Sequence, residues 1–277
     1  MSTILIGVDA TARSEDAIAL ARRLAPAVDG DLIVAAVTPD HEEGHATVRR
    51  MAGLLEPGLA PERIRTAIVP GPSPAQGLHE LAAAEGAALI IVGSTHTGRL
   101  GRVRPGSTGE RLLQGAPCAV AVAPHGYRTK LDGPLRTIGV AYNGSREADC
   151  ALATALALAE TTGAHVQAIT VIPLERYGTP PYARAELEAA MRTALEDGVA
   201  GTAAETVVLD GRPWAALATA SSDLDLLIAG SRGYGPLKAV ITGGTSGPLI
   251  HHAHCPVVVV PRGVDAPLHQ GEQALLG

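Results

Sequence analysis

The sequence predicts an α/β protein with two tandem doubly wound domains, each containing a five-stranded parallel sheet. Three observations support this fold class. Apolar, β-branched segments alternate with amphipathic segments, as expected for buried parallel strands joined by helical crossovers. The same pattern then occurs a second time along the chain. Finally, 277 residues are enough for two domains with adequate cores.

The repeat can be followed residue by residue. Three pairs of segments correspond: 6–11 with 140–145, 89–94 with 226–231, and 118–124 with 255–261. A period this long indicates a duplicated domain rather than a solenoid. Between the copies lies a polar stretch with Gly and Pro, which is typical of a linker. We expect a first domain over 1–126, a linker over 127–135, a second domain over 136–263 and a loosely ordered tail over 264–277.

Each copy contains the elements of such a domain in the same order. In the first copy the strands are predicted at 3–8, 32–37, 64–69, 88–92 and 119–123. The helices between them are predicted near 14–24, 42–55, 74–85 and 107–114. In the second copy the strands are predicted near 137–141, 166–171, 205–209, 225–229 and 257–260. Right-handed crossovers then place a ligand crevice at the carboxyl ends of the strands.

Composition excludes several classes of protein. The net charge is −6 and aromatic residues make up 2% of the chain, which argues against nucleic acid as a partner. No apolar run approaches the roughly 18 residues of a membrane span, and no signal segment is evident at the N-terminus. Three cysteines are too few for a disulfide framework. We therefore expect a cytoplasmic protein that does not bind membranes.

The fourth strand of each copy runs into a glycine-rich loop that ends where a helix is predicted to begin. Such a loop lets the backbone approach a phosphate, and the first N–H groups of the helix then point at the anion. The candidate residues of the first loop are Gly93, Thr95, Gly98, Gly106, Ser107 and Thr108. Those of the second loop are Gly230, Arg232, Gly233, Gly235, Gly243, Gly244, Thr245 and Ser246. For Arg232, a phosphate ligand and a surface arginine are equally compatible with the sequence.

The segment after the first strand differs from other nucleotide-binding patterns. Residues 9–14 match neither the dinucleotide fingerprint nor the lysine-containing P-loop. A Rossmann dehydrogenase and a P-loop NTPase are both disfavoured for this reason.

Together, these features resemble the universal stress proteins in their tandem form. The adenine-nucleotide-binding members of that family carry G-x2-G-x9-G-[ST] after strand four and an Asp at the end of strand one. The resemblance implies a Rossmann-like, adenine nucleotide α-hydrolase-like fold, an internal pseudo-dimer and a possible homodimer. It also implies binding of ATP with Mg²⁺, in a stress-adaptation or signalling role.

The family pattern can be carried onto this chain by position. Asp9 would contact the ribose or adenine edge, and the backbone of Val37 would contact adenine. Gly93, Gly106 and Ser107 would cradle the phosphates. The positions implied in the second copy are Asn143, Val171, Gly230, Gly233 and Gly243.

Both copies depart from the pattern. His96 stands where the first copy should have its second glycine. In the second copy, Gly244 replaces the hydroxyl residue and Asn143 replaces the acid, although Thr245 and Ser246 offer nearby hydroxyls. We expect the two halves to bind nucleotide with unequal affinities, and the sequence does not decide which half binds more tightly.

Two other functions remain as alternatives: a nucleotide-free structural or interaction protein of the same family, and an ATP-pyrophosphatase-like enzyme. No catalytic constellation is evident, so any hydrolysis is expected to be slow. The cluster around His251, His252 and His254 is assigned to a helix end rather than to a metal site.

Overall fold

A computed structural model describes residues 2–56, 58–95, 100–130, 133–173, 181–231 and 246–264. Within these ranges, ten strands and eight α-helices alternate along the chain. We call the part from β1 to β5 the first half and the part from β6 to β10 the second half. The strands of the first half are β1 Thr3–Val8, β2 Leu32–Val37, β3 Ile64–Val69, β4 Ala87–Gly93 and β5 Ala119–Ala123. Its helices are α1 Ala12–Leu24, α2 His41–Gly53, α3 Pro74–Ala84 and α4 Ser107–Gly115.

The second half repeats this order. Its strands are β6 Thr137–Ala141, β7 His165–Pro173, β8 Glu205–Gly211, β9 Leu226–Gly230 and β10 Val257–Val260. Its helices are α5 Arg146–Thr162, α6 Pro181–Val199, α7 Pro213–Ala220 and α8 Ser246–Ile250. The predicted alternation of strands and helices is therefore confirmed, with differences of one or two residues at several element ends.

The strands form one continuous sheet in the order β3-β2-β1-β4-β5-β10-β9-β6-β7-β8. Neighbouring strands within each half are parallel, as predicted. At the centre, β5 and β10 pair antiparallel, with Val122 opposite Val257 and Val120 opposite Val259. The two predicted sheets are thus joined edge to edge through their last strands.

Alternating residues of the strands supply two cores, one on each face of the sheet. On one face, the core that contains Ile4 and Ile6 includes the buried sides of α1, α2 and α5. On the other face, the core that contains Leu5 and Ile90 includes buried residues of α3, α4, α7 and α8. Strands buried on both faces explain why their sequences are nearly continuous apolar runs.

Polar side chains cap the first turns of several helices. The carboxylate of Asp40 accepts the backbone N–H groups of Glu42 and Glu43 at the start of α2. Ser73 caps α3 through the N–H of Gln76, and Ser145 caps α5 through that of Ala148. Such caps satisfy backbone donors that the first helical turn leaves free.

Part of the segment predicted as a linker packs against α1. Residues Tyr127–Lys130 form a turn of 3-10 helix, and Tyr127 is buried. Asp16 of α1 is fully buried, and its carboxylate accepts the N–H groups of Gly126 and Arg128, both at 2.9 Å. The segment after β5 is therefore fixed to the first half by a buried carboxylate.

Candidate functional site

A cleft opens in the first half where β1 and β4 lie side by side. The strand order reverses at this point, because β1 leads through α1 to β2 on one side while β4 lies on the other. In doubly wound sheets this switch point is where ligands bind. The cleft has a cavity volume of about 70 Å³ and is open to solvent. Its lining residues are Gly7, Val8, Asp9, Arg13, Ser14, Ala35, Val37, Pro74, Leu78, Val92, Gly93, Gly106, Thr108 and Gly109.

Gly93, the last residue of β4, lies directly against the start of α1. A Cβ at this position would stand 2.1 Å from the carbonyl oxygen of Arg13. Only a residue without a side chain allows the end of the strand and the helix to approach this closely. The predicted glycine therefore has a structural role in building the cleft wall.

The N-terminus of α4 points into the same cleft. Gly106 is its N-cap residue, and no side-chain cap is present among the described residues. The first backbone N–H groups of the helix, from Ser107 onward, are thus available to a ligand. Glu110 in the first turn lies where a negative charge interacts favourably with the helix dipole.

The two ends of the loop between β4 and α4 are held together by hydrogen bonds. The N–H of Thr95 donates to the carbonyl of Arg104 at 2.8 Å, and the N–H of Arg104 donates to the hydroxyl of Ser94 at 2.9 Å. The second half also anchors this loop, because the N–H of Val103 donates to the carbonyl of Ala253 at 2.9 Å. The position of Gly106 is therefore supported from both halves.

Asp9 and Arg13 form the charged wall of the cleft. Nε of Arg13 donates to Oδ2 of Asp9 at 2.7 Å, and a second nitrogen of the guanidinium contacts the same oxygen. On the other oxygen, Oδ1 accepts the N–H of Thr11 at 2.9 Å, its hydroxyl at 2.5 Å and the hydroxyl of Ser14 at 2.9 Å. Burial acts to raise the pKa of Asp9, but the hydrogen bonds from Arg13 and Thr11 outweigh it and lower the pKa below its ordinary value. Asp9 is consequently an anion at neutral pH.

Five of the sequence-predicted residues meet in this cleft: Asp9, Val37, Gly93, Gly106 and Thr108. Thr95 lies next to it, since its Cγ2 is 3.0 Å from the position of a Cβ on Gly106. Ser107 is exposed as the first residue of α4. Gly98 lies outside the described residues.

In the second half the structure describes four of the predicted residues: Asn143, Val171, Gly230 and Ser246. Asn143 is exposed, and its Oδ1 accepts the N–H of Ser145 at 3.1 Å. Val171 is buried in β7. Ser246 begins α8. The remaining predicted residues lie outside the described part of the chain: Arg232, Gly233, Gly235, Gly243, Gly244 and Thr245.

Gly230 repeats the close approach made by Gly93, with a different partner. A Cβ on Gly230 would stand 2.7 Å from Cβ of Glu147 and 3.0 Å from its carbonyl oxygen. Glu147 therefore occupies in the second half the place that Arg13 occupies in the first. Its carboxylate is paired with Arg262, whose Nε lies 3.1 Å from Oε1. The charge beside the loop is thus reversed between the halves.

Arg13 was not among the residues that sequence reasoning selected. A signal was present, because an arginine four residues after Asp9, at a predicted helix start, lies one helical turn from the carboxylate. Pro74 and Leu78 were also missed. They reach the cleft from α3, and no local motif identifies them.

The histidines after α8 have structural partners. The ring of His252 lies 5.0 Å, centroid to centroid, from that of Trp214. The N–H of His254 donates to the hydroxyl of Ser221 at 2.9 Å. In the part of the chain that the structure describes, no group of three or more His, Cys, Asp or Glu could hold a metal ion. Among the described helices, none combines the length and apolar character needed to cross a bilayer.

Comparison with known proteins agrees with this architecture. A universal stress protein of Mycobacterium tuberculosis strain H37Rv is 30% identical over 189 residues, covering 63% of this chain. The chain spans 64% of the length of that relative. A universal stress protein structure from Archaeoglobus fulgidus DSM 4304 matches with a TM-score of 0.71 at 19% identity, covering 94% of this chain and 98% of that one. A putative universal stress protein from Pseudomonas aeruginosa UCBPP-PA14 gives 0.68 at 18% identity, covering 94% and 93%.

The fold is therefore shared with known members, and the family itself follows from the sequence match. The model of the Universal stress protein family matches residues 1–124 and, separately, residues 134–261. Both copies of the repeat are included, and together they make up most of the chain. The chain belongs to the universal stress protein family.

Proposed function

We propose that this chain binds one adenine nucleotide, with ATP as the expected ligand, in the cleft of the first half. The observation that carries the proposal is the meeting of Gly93, Gly106, Arg13 and the N-terminus of α4 at one switch point. Backbone N–H groups at a helix N-terminus and a guanidinium form strong hydrogen bonds to phosphate oxygens. The apolar side chains of Val37 and Leu78 line the same cleft and provide a surface for the adenine ring.

The charges favour the first half over the second. A phosphate in the first half would meet Arg13, whereas the corresponding place in the second half holds Glu147. A carboxylate beside a polyphosphate is repulsive, and Arg262, which pairs with Glu147, is 77% exposed, so solvent screens the pairing that would offset the repulsion. We therefore expect one nucleotide per chain rather than two.

Mg²⁺ would accompany the phosphates. Hard cations prefer oxygen ligands and often bind through phosphates together with one or two protein oxygens. The hydroxyls of Ser107 and Thr108, in the first turn of α4, are oxygens of this kind. Within the family, a stress-adaptation or signalling role through nucleotide occupancy is the function that we propose.

The test is direct measurement of bound nucleotide. The protein is purified without added nucleotide and denatured, and the released nucleotides are quantified; emptied protein is then titrated calorimetrically with ATP and Mg²⁺. Gly106→Ala is the informative variant. Its Cβ would lie 3.0 Å from a side-chain methyl of Thr95 and 3.8 Å from Nη1 of Arg13, both side-chain atoms, and the φ of −83° suits any residue, so the fold should be retained. The methyl group would nevertheless stand between the backbone and a phosphate, and ATP binding should weaken at least about tenfold.

Two variants serve as matched controls. Gly115→Ala changes the other end of α4, where a Cβ would meet nothing within 4 Å. Gly243→Ala changes the counterpart of Gly106 in the second copy. Both should bind ATP as the wild type does. Two nucleotides per chain, with one lost in Gly243→Ala, would contradict the assignment to one half, and no binding at all would leave a nucleotide-free interaction protein.

A further inference from the structure

The carboxylate of Asp9 has no oxygen left for a ligand. Oδ1 accepts Thr11 and Ser14, and Oδ2 is held by two nitrogens of Arg13. An ionised carboxylate offers about four lone-pair sites, so these donors fill it. A nucleotide hydroxyl or amino group that is to donate to Asp9 must first displace one of them.

Arg13 is the donor that can leave. Ser14 is buried and the N–H of Thr11 belongs to the backbone, so these two donors keep Oδ1 occupied even when the exposed Thr11 hydroxyl turns away. The side chain of Arg13 is 36% exposed, and its long stem allows the guanidinium to reorient. It is also the only one of the three that contacts Oδ2 in the described structure.

Arg13 already points toward the expected phosphate position. Its Nη1 lies 3.8 Å from the place of a Cβ on Gly106, at the N-terminus of α4. A small movement of the side chain would carry the guanidinium from the carboxylate to an anion at that helix end. Arginine suits both partners, because its planar fork pairs with carboxylate and phosphate in the same two-pronged way.

We propose that Arg13 exchanges the carboxylate of Asp9 for a phosphate of the ligand, an inference that rests on the proposed nucleotide site. The exchange frees Oδ2 to accept a hydrogen bond from the nucleoside part of the same ligand. Ligands with a phosphate supply Arg13 with a new partner, whereas an unphosphorylated nucleoside would leave the guanidinium without one. Arg13 thereby makes the site selective for phosphorylated ligands.

The two residues of this pair are replaced in the second half. Glu147 stands in place of Arg13 and Asn143 stands in place of Asp9, so these two positions hold neither the cation nor the carboxylate of the first half. Glu147 is instead paired with Arg262, which follows β10. This difference provides a control within the same chain.

The experiment compares ATP and adenosine as ligands of the wild type, Arg13→Ala, Arg13→Lys and Glu147→Ala by calorimetry. We expect Arg13→Ala to weaken ATP binding by about tenfold to a hundredfold, the usual worth of charge-assisted hydrogen bonds. Adenosine binding should stay the same or tighten, because Oδ2 is free from the start. Arg13→Lys should keep part of the preference for ATP, since it retains the charge without the two-pronged geometry. Glu147→Ala should match the wild type.

The outcomes separate the two proposals. Equal weakening of ATP and adenosine in Arg13→Ala would mean that Arg13 only shapes the cleft, and unchanged ATP affinity would mean that it does not touch the phosphates. Either result overturns the exchange while leaving the nucleotide site intact. A wild-type chain that binds neither ligand would overturn the site and the exchange together. Circular dichroism shows whether each variant is folded. If Arg13→Ala does not fold, the comparison of ATP and adenosine is made with Arg13→Lys.

Discussion

Arg23 and Asp225 form an ion pair between the two halves, with Nη2 of the arginine 2.9 Å from Oδ1 of the aspartate. The same guanidinium donates to the hydroxyl of Tyr127 at 2.6 Å and to the carbonyl of Pro134 at 2.9 Å. Oδ2 of Asp225 accepts the N–H of Arg136 at 2.8 Å. A single side chain of α1, only 9% exposed, thus connects the first half, the connecting segment and the start of β9.

Replacing this arginine should loosen the contact between the halves. We expect Arg23→Ala to lower the free energy of unfolding by about 2 kcal/mol, because Asp225 and Tyr127 lose a charged partner in a partly buried place. Urea denaturation followed by circular dichroism measures the change. The matched control is Arg65→Ala, whose ion pair with Glu85 is exposed, and it should cost less than about 1 kcal/mol. Equal losses in the two variants would contradict a special role for Arg23.

The same contact predicts a dependence on pH. Burial raises the pKa of Asp225, but the hydrogen bonds from Arg23 and the N–H of Arg136 outweigh it and lower the pKa. A lowered pKa stabilises the folded state above the ordinary aspartate value of about 3.9 and loses that effect as the pH falls through the folded value. The stability difference between wild type and Arg23→Ala should therefore be constant near neutrality and shrink below about pH 4. A difference that grows in acid would disprove this assignment.

Asp16 should be a stability determinant of the first half. Replacing it by alanine leaves the N–H groups of Gly126 and Arg128 without their acceptor, and we expect a loss of about 3 kcal/mol in unfolding free energy. The corresponding residue of the second copy is Cys150, so Cys150→Ala is the matched control and should cost less than about 1 kcal/mol. Chemical denaturation of both variants decides between a capping role and a general sensitivity of this helix position.

Gly93 and Gly230 should respond alike in stability but differently in binding. A Cβ on Gly93 would meet backbone of Arg13, and one on Gly230 would meet Glu147, so each alanine variant should lose about 1 to 3 kcal/mol from overpacking. Only Gly93→Ala should also weaken ATP binding, because only its strand end belongs to the proposed site. Gly53→Ala, where a Cβ would meet nothing within 4 Å, should lose neither. Loss of ATP binding in Gly230→Ala would assign a site to the second half.

The three thiols should differ in reactivity. Cys118 and Cys255 are buried, whereas Cys150 is half-buried. Burial raises the pKa of Cys118 to about 12, which keeps this thiol protonated and inert at pH 8. A thiol reagent such as Ellman's should therefore label one cysteine quickly in native protein and all three after unfolding.

Cys118 also predicts a loss of stability in alkali. A thiol pKa that is raised in the folded state contributes fully below the unfolded value of about 8.5, and the contribution is lost as the pH rises above it. Stability of the wild type should decline faster between pH 9 and 11 than that of Cys118→Ala. Parallel declines of the two proteins would argue against this contribution.

Much of the fold follows from local sequence. Thr3–Val8 and Ile64–Val69 were predicted to the residue, because each is a strand-forming run bounded by residues that favour turns. The joining of the halves through β5 and β10 was not predicted beyond an internal pseudo-dimer. Which edges pair depends on exposed backbone and on packing between distant segments, and the sequence of a single strand does not encode it.

The candidate site was predictable where one sequence motif contributes its residues, and not where distant segments of the chain contribute them. Gly93 and Gly106 belong to one loop, so their spacing already indicated a common ligand. Leu78 reaches the cleft from α3, and Arg262 reaches Glu147 across 115 residues, so only the folded chain brings these groups together. The aligned copies already show Arg13 replaced by Glu147. Only the structure shows that each of these residues lies against the glycine that ends the fourth strand of its half, Gly93 or Gly230.

The antiparallel pairing of β5 with β10 places corresponding edges of the two copies against each other, which is the arrangement of an isologous contact between identical subunits. In a pair of separate identical chains, every mutation appears on both sides of the axis, and the two sites must change together. Covalent fusion removes that constraint, because each copy can then accumulate substitutions independently. One copy can retain the groups that hold a ligand, while the other loses them and still packs against the first in a fixed one-to-one ratio.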